Sequence, residues 1–442
     1  MERSRLLIVI VLLVHPFFAS SQSYWKVENE HGDEILLTLE VNKAKNTFEA
    51  FSRKDALKDL AGVFTYTLAK AAGKLKYPEI VFIEGKTHTK HDSLFLNGDF
   101  YYFDKHFLFS ASVSGSHFDG NYLDNKGKAH SLNGVKMPDI RPIKDYSSMI
   151  NTAFLLAEKS LINPVWLKSD DWLEFKKKVD NLKSKISDDY ELAATFFWLG
   201  KKLPFSPFEI NKARPHLKEN RRKNLAGIRE IKGSSALMDG NSIPGSKKEM
   251  DSIAVIVSKK GYRNLIIDLR GNNRLSPAAA NILLNYLSNQ PFSAGVYLTR
   301  KWGDTNPKIP QGQDYPKLFK TFNETNFTSG ELYKEQGRYL NIVPGEKTFR
   351  GKVYVLTDAK TSRVSVMVAY SLKSRKLATV VGQKSAGVTF LTENIKINPE
   401  YDLILPDCDF YTGEGRSLNN SGVEPDILKP ADEVMSYILT LI

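Results

Sequence analysis

Residues 24 to about 54 alternate apolar and polar side chains, as in EILLTLEVNKAKNTFEAF. This period of two is that of half-buried strands, whose successive side chains point to opposite faces. From Asp55 the period changes. Leu57, Leu60, Phe64, Leu68, Ala71 and Leu75 recur at helical spacing and predict one amphipathic helix running to about Leu75. Residues 79–136 return to short aromatic-rich strands with Asn-Gly and Asp-Gly turns between them. Residues 23–140 are thus expected to form a β-rich N-terminal domain with one helix.

From about Asp145 to His216 the pattern is helical. Trp172, Phe175 and Val179 share one helix face, and DDYELAATFFWLGKKL predicts a second helix that stops before Pro204. This gives a helical segment, 141–225, joined to a core of residues 226–442. In the core, strands and helices alternate. KKEMDSIAVIVSKKG reads as a helix, RNLIIDL and KVYVLT as buried strands, and LATVVG as a further strand. SPAAANILLNYLSNQ opens with Ser276 as N-cap and Pro277 in the first turn. SVMVAYSLKS belongs to a helix expected to open at Thr361 or Ser362. Apolar strands alternating with helices predict an α/β core with a mostly parallel sheet covered by helices.

Composition narrows the class. The chain has 442 residues, 42% hydrophobic and 25% charged, which suits a globular protein of two or three domains. Residues 1–22 read as a secretory signal peptide: Arg3 and Arg5 precede the apolar run Leu6 to Leu13, and Ala19, Ser20 and Ser21 come after it. The run falls short of the roughly 20 apolar residues that span a bilayer, and His15-Pro16 interrupts it. A secreted or periplasmic protein without stable membrane insertion after signal removal is expected. Cys408 is the only cysteine, so an intrachain disulfide is excluded. The formal charge of +12 comes from lysines spread along amphipathic helical stretches, not from a basic face interleaved with aromatics, so nucleic acid is not an expected partner. Six of the eight histidines lie between His31 and His130, yet His88 and His91 have few carboxylates near them and form no clear ligand set. No metal or cofactor is expected. Asn-x-Ser/Thr sites stand at Asn323, Asn326 and Asn419.

Sites in such sheets form beyond the carboxyl ends of strands. Two strand ends stand out. NLIIDLRGNN ends at Gly271, which permits a sharp turn, and KVYVLTDAKTSRVSV runs through a polar turn into a helix. Exposed N–H groups at Gly271, Asn272 and Val364 would suit an oxyanion hole. VVGQKSAG and LNNSGVEPDI come next in order. This succession resembles the tail-specific, or C-terminal processing, serine peptidase family. Its members show Asp-Leu-Arg-Gly-Asn, then a Thr-x-Ser-Ala-x-Glu turn, a Val-Gly-x-x-Thr-x-Gly strand and a terminal Gly-Val-x-Pro-Asp, the last matched by Gly422, Val423, Pro425 and Asp426. LPFSPFEI looks like the family's Phe-Ser-His-Phe element. The resemblance implies a crotonase/ClpP-like peptidase core, serine-type proteolysis, and a peptide or unfolded protein segment as partner.

The same alignment of motifs places Arg363 at the nucleophile, Val366 at the carboxylate three residues on, Pro207 at the histidine and Val388 at the alternative lysine base. Acyl transfer needs a nucleophile within reach of a base, and arginine is neither. The leading expectation is therefore an inactive member that keeps a peptide-binding cleft. One alternative is an active peptidase whose nucleophile has moved to Ser362 or Ser365. Against it, a one-residue slip at a helix start turns a side chain by about 100°, and His216 lies nine residues beyond Pro207. A second alternative is a surface-interaction protein that uses its N-terminal domain. Nothing in the sequence fixes the oligomeric state.

Overall fold

A computed structural model describes residues 20–103, 105–125, 127–138, 144–205, 207–213, 227–306, 308–322, 332 and 335–442. Most of the expected signal peptide, His216, Asn323 and Asn326 lie outside the described residues. The chain forms two compact units. One holds the residues up to Ser147 with Val179–Trp198, and the other holds Ser148–Lys178 with Leu199–Ile442. The helical segment 141–225 is thus shared between the two.

The first unit contains strands β1 (Ser20–Asn29), β2 (Glu34–Asn42), β3 (Thr47–Phe51), β4 (Val81–Lys90), β5 (Ser93–Tyr102), β6 (Lys105–Ser114), β7 (His117–Leu123) and β8 (Ala129–Met137). Each pairs antiparallel with the next, and β8 returns to β1, with Tyr24 opposite Met137, to close a barrel. The period-two pattern is realised as buried alternation: Trp25 and Val27 on β1, Leu37 and Leu39 on β2, with Phe48, Ile83, Phe100, Phe109, Phe118 and Leu132 also buried. Closure leaves no unpaired edge. His88 stacks on Phe95 at 4.9 Å on the barrel wall.

The single helix expected from Asp55 is instead two, α1 (Ala56–Ala61) and α2 (Val63–Ala71). Gly62, at φ 80° and ψ 143°, separates them, and its N–H closes α1 on the Lys58 carbonyl. The break turns the apolar stripe. Leu57, Leu60 and Leu75 are buried, whereas Phe64 and Leu68 are 77% and 56% exposed and Tyr66 points inward instead.

Helices α3 (Tyr146–Ser160), α4 (Asp170–Leu182) and α5 (Asp189–Gly200) come next in the chain. Trp172, Phe175 and Val179 are buried, as their spacing predicts. Within the first unit, the start of α5 holds β2 through buried acids. The Leu36 N–H donates to Asp188 at 3.1 Å, and the Glu34 N–H and Tyr146 hydroxyl donate to Asp189 at 2.9 and 2.8 Å. Burial pushes Asp188 up to about 7.

The second unit contains β9 (Glu209–Lys212), β10 (Ile228–Lys232), β11 (Ser235–Asp239), β12 (Asn264–Asp268), β13 (Phe292–Thr299), β14 (Lys320–Thr321), β15 (Gly337–Ile342), β16 (Lys352–Thr357), β17 (Thr379–Gly382), β18 (Leu391–Lys396), β19 (Tyr401–Thr412) and β20 (Ile427–Leu428). Its helices are α6 (Lys247–Lys260), α7 (Pro277–Leu287), α8 (Arg300–Thr305), α9 (Tyr315–Leu318), α10 (Val364–Ser374) and α11 (Val434–Leu441). One sheet runs β10-β11-β12-β16-β17-β20 and is parallel from β11 onward. Leu265 and Ile267 of β12 pack with α6, α7 and α10, and Ile266 packs with Val434 and Ile438 of α11. Both faces are covered, as continuous apolar strands require. A second sheet, β14-β15-β13-β19-β18 with β9 beside β19, is mainly antiparallel. The apolar pattern does not reveal it, because β19 carries Asp402, Asp407 and Asp409 among its buried residues.

Candidate functional site

The carboxyl ends of β12, β16 and β17 lie side by side, with Asp268 opposite Leu356 and Thr357 opposite Gly382. The turns that leave them therefore converge. Gly382, at φ 129°, lets β17 approach β16 closely: a Cβ there would stand 2.1 Å from the Thr357 carbonyl oxygen. The GVEPDI segment braces the far side of β17, where the Val380 N–H donates to Asp426 at 2.8 Å and the Asp426 N–H returns to the Val380 carbonyl at 2.7 Å.

Asp358, at the end of β16, ties the turns together. Its Oδ1 accepts the N–H groups of Gly271, Lys360 and Thr361 at 2.9, 2.9 and 2.8 Å. The Thr361 hydroxyl donates to the Leu269 carbonyl at 2.8 Å, and the Ser362 N–H donates to the Asn272 carbonyl at 3.0 Å. With these N–H groups committed to the turn, α10 begins at Val364 and not at Thr361 or Ser362. Arg363 is its N-cap residue at φ 59° and ψ −130°, a conformation that costs a non-glycine residue roughly 1–3 kcal/mol. Its N–H donates to the Val388 carbonyl at 2.6 Å. The strained strand-to-helix corner is of the kind that exposes a nucleophile in other hydrolases, and here it carries a guanidinium.

Around it lies a cavity of about 550 Å³ lined by Pro207, Glu209, Asn273, Lys360, Ser362, Arg363, Ala386, Val388, Thr392, Asn394 and Ile404. The structure thus brings Pro207, Arg363 and Val388 together, and Val366 apart from them. Val366 is fully buried in the core under α10. Among the described residues no histidine lines the cavity. Burial draws the Arg363 guanidinium below its usual range, while the carboxylate of Glu209 opposes that shift. The guanidinium has no hydrogen-bond partner among the described residues.

Ser365 is fully buried and donates to Asn272 Oδ1 at 2.9 Å, away from the cavity. Ser362 lines the cavity near Lys360. Of the backbone groups expected to face an oxyanion, the Gly271 N–H is held by Asp358 and the Asn272 N–H donates to the Leu269 carbonyl at 3.1 Å. Val364 is the first residue of α10, where an N–H has no partner within the helix.

Sequence reasoning missed Glu209, Lys360 and Asp358. Glu209 stands two residues after Pro207, and Asp358 two before Lys360 is an Asx-turn signal, so both were within reach. The wall beside Val388 depends on Asp409, which accepts from Thr389 Oγ1 at 3.1 Å and from the Asn419 side-chain amide. Asn419 is therefore engaged in packing. Burial pushes Asp409 up to about 6, and Asp407 likewise, both of whose oxygens lack partners among the described residues. Among the described residues no cluster of three or more His, Cys, Asp or Glu is arranged to hold a metal, and no helix is long and apolar enough to cross a membrane.

Residues 236–428 match the sequence model of peptidase family S41. A carboxy-terminal-processing protease from Bartonella bacilliformis is 29% identical over 105 residues, covering 22% of this chain and 24% of that one. The chain thus spans about a quarter of the length of this curated relative. Similar solved structures include a candidate peptidase from Parabacteroides merdae, with a TM-score of 0.45 and 13% identity over 67% of this chain and 96% of that one. The photosystem II D1 C-terminal processing protease gives a TM-score of 0.38 and 12% identity over 66% and 94%. By its motifs and by this match, the segment 236–428 is a peptidase S41-like domain, similar to the tail-specific proteases.

Proposed function

We propose that this is an exported, catalytically inactive relative of the tail-specific peptidases that binds peptides in the Arg363 cavity. One observation carries the reading: Pro207, Arg363 and Val388, standing where the family's histidine, serine and lysine would fall, line the same cavity. Among the described residues no serine there is hydrogen-bonded to a histidine or lysine. What remains is a half-buried, unpaired guanidinium beside the N-terminus of α10, a combination that favours a carboxylate. A peptide's terminal carboxyl is the group it would hold, with Asn273, Thr392 and Asn394 available for the backbone. Glu209, which lines the same cavity, disfavours an acidic side chain and suits a basic or neutral one. Export rests on the leader sequence of residues 1–22.

Isothermal titration of one peptide as the free acid and as the amide tests this reading. The free acid is expected to bind about tenfold more tightly, a difference that Arg363→Ala abolishes. Equal affinity for the two forms would refute the carboxylate assignment.

The placement of Ser362 in the cavity with Lys360 keeps a second reading open, in which Ser362 is a relocated nucleophile with lysine as base. Slow peptide hydrolysis that disappears in both Ser362→Ala and Lys360→Ala would establish it.

A further inference from the structure

One side of the Arg363 cavity is a face of the second sheet. Asn394 on β18 stands opposite Ile404 on β19, and Ile404 stands opposite Glu209 on β9. Residues directly opposite on antiparallel strands share a face, so these three side chains form a row with steps of about 4.8 Å. Thr392, two residues before Asn394, lies on the same face. All four line the cavity, and Arg363 joins them from the corner between β16 and α10.

The row changes character along its length, from an amide through an apolar side chain to a carboxylate. Glu209 is half-buried. Its Oε2 accepts from the Asn211 side-chain amide at 3.2 Å, and it forms no ion pair among the described residues. Arg363 is half-buried too, and equally without an ion-pair partner among the described residues. The two charges act on each other, since Glu209 opposes the effect of burial on the guanidinium. Yet they do not close into the bidentate pair that arginine and a carboxylate readily make. Opposite charges held apart in one cavity are the complement of a ligand that carries one charge of each sign. A neutral ligand would strip water from Glu209 and return no partner, and a purely anionic one would match Arg363 alone. Lys360 also lines the cavity but is exposed, so water solvates its ammonium without help from a ligand.

Building on the carboxylate reading above, we infer that Glu209 determines specificity and that the ligand is a peptide with a basic C-terminal residue, whose α-carboxylate meets Arg363 and whose side-chain cation meets Glu209. A free basic amino acid carries the same two charges. A cavity of about 550 Å³ is sized for a larger ligand, and a peptide also reaches Thr392 and Asn394.

The test is isothermal titration of the full chain with tetrapeptides that differ only in the last residue. Lysine, alanine and glutamate are compared as free acids, with the lysine peptide also as its amide, and free lysine is the remaining arm. The lysine acid is expected to bind about tenfold more tightly than the alanine acid. Glu209→Gln, which keeps an acceptor for the Asn211 amide, should remove that preference and leave the acid favoured over the amide. Glu209→Lys should turn the preference towards glutamate. The inference falls if the lysine and alanine acids bind the native chain equally, if the preference survives Glu209→Gln, or if Glu209→Lys does not favour glutamate. Free lysine binding as tightly as the lysine peptide would assign the cavity to an amino acid and overturn the peptide. Equal binding of the lysine acid and amide, with a lysine preference that Glu209→Gln still removes, would overturn the carboxylate at Arg363 alone. No binding at millimolar peptide would overturn both.

Discussion

Arg363 combines two costs in one residue: a backbone at φ 59° and a guanidinium drawn from water with only Glu209 to offset it. Glycine adopts that backbone freely, at the expense of a more disordered unfolded state. Arg363→Gly is therefore expected to stabilise the second unit by about 1 kcal/mol in urea denaturation while abolishing preference for a free carboxyl terminus. A variant that loses both stability and binding would mean that the arginine packs as a structural strut. Asp407 is a second residue held at a cost. It is 4% exposed, neither oxygen has a partner among the described residues, and burial pushes it up to about 6. Asp407→Asn should stabilise the fold at pH 8 by on the order of 2–3 kcal/mol and have little effect at pH 4. The order of motifs along the chain grouped Pro207, Arg363 and Val388, and the three line one cavity. Glu209 and Asp358 carried local signals, beside Pro207 and Lys360, but the interactions that give them their roles, with Arg363 and with the Gly271 N–H, join distant segments.

The turn from β16 to α10 is an element held by one carboxylate. Asp358→Ala removes the acceptor of three N–H groups and is expected to cost about 2–4 kcal/mol. Hydrogen exchange at Gly271 and Thr361 should accelerate most, whereas uniform acceleration would point to global loss. Most elements were legible because each follows a local period: α7 with its Ser276 cap, α6, and the buried strands β12 and β16. Two features were not legible, for different physical reasons. The stripe Leu57 to Leu75 fits a helix, but Gly62 turns the chain, and Phe64 ends 77% exposed. Barrel closure needs β1 to meet β8 across more than a hundred residues, and no local pattern encodes that pairing.

Across the molecule, the buried acids fix how stability varies with pH. Asp188 in the first unit rises to about 7, and Asp407 and Asp409 in the second to about 6. A raised carboxyl binds its proton more tightly when folded, so its contribution is complete below the unfolded value near 4 and is lost as pH climbs through 6 to 7. Each unit should accordingly be more stable at pH 5 than at pH 8 by a few kcal/mol, on the order of one pKa unit's worth or more per acid. Urea titrations at the two pH values check this, and Asp188→Asn should flatten only the transition of the first unit. Greater stability at pH 8 would mean that these acids are ionised and satisfied in the fold.

If the corner at Arg363 no longer supports acyl transfer, a serine-directed reagent should find nothing there to modify. The decisive measurement is the mass of the intact protein after incubation with a fluorophosphonate. An unmodified mass is expected under conditions that fully label an active serine peptidase. A one-adduct mass shift, mapped by peptide digestion to Ser362 or Ser365, would contradict the loss of catalysis.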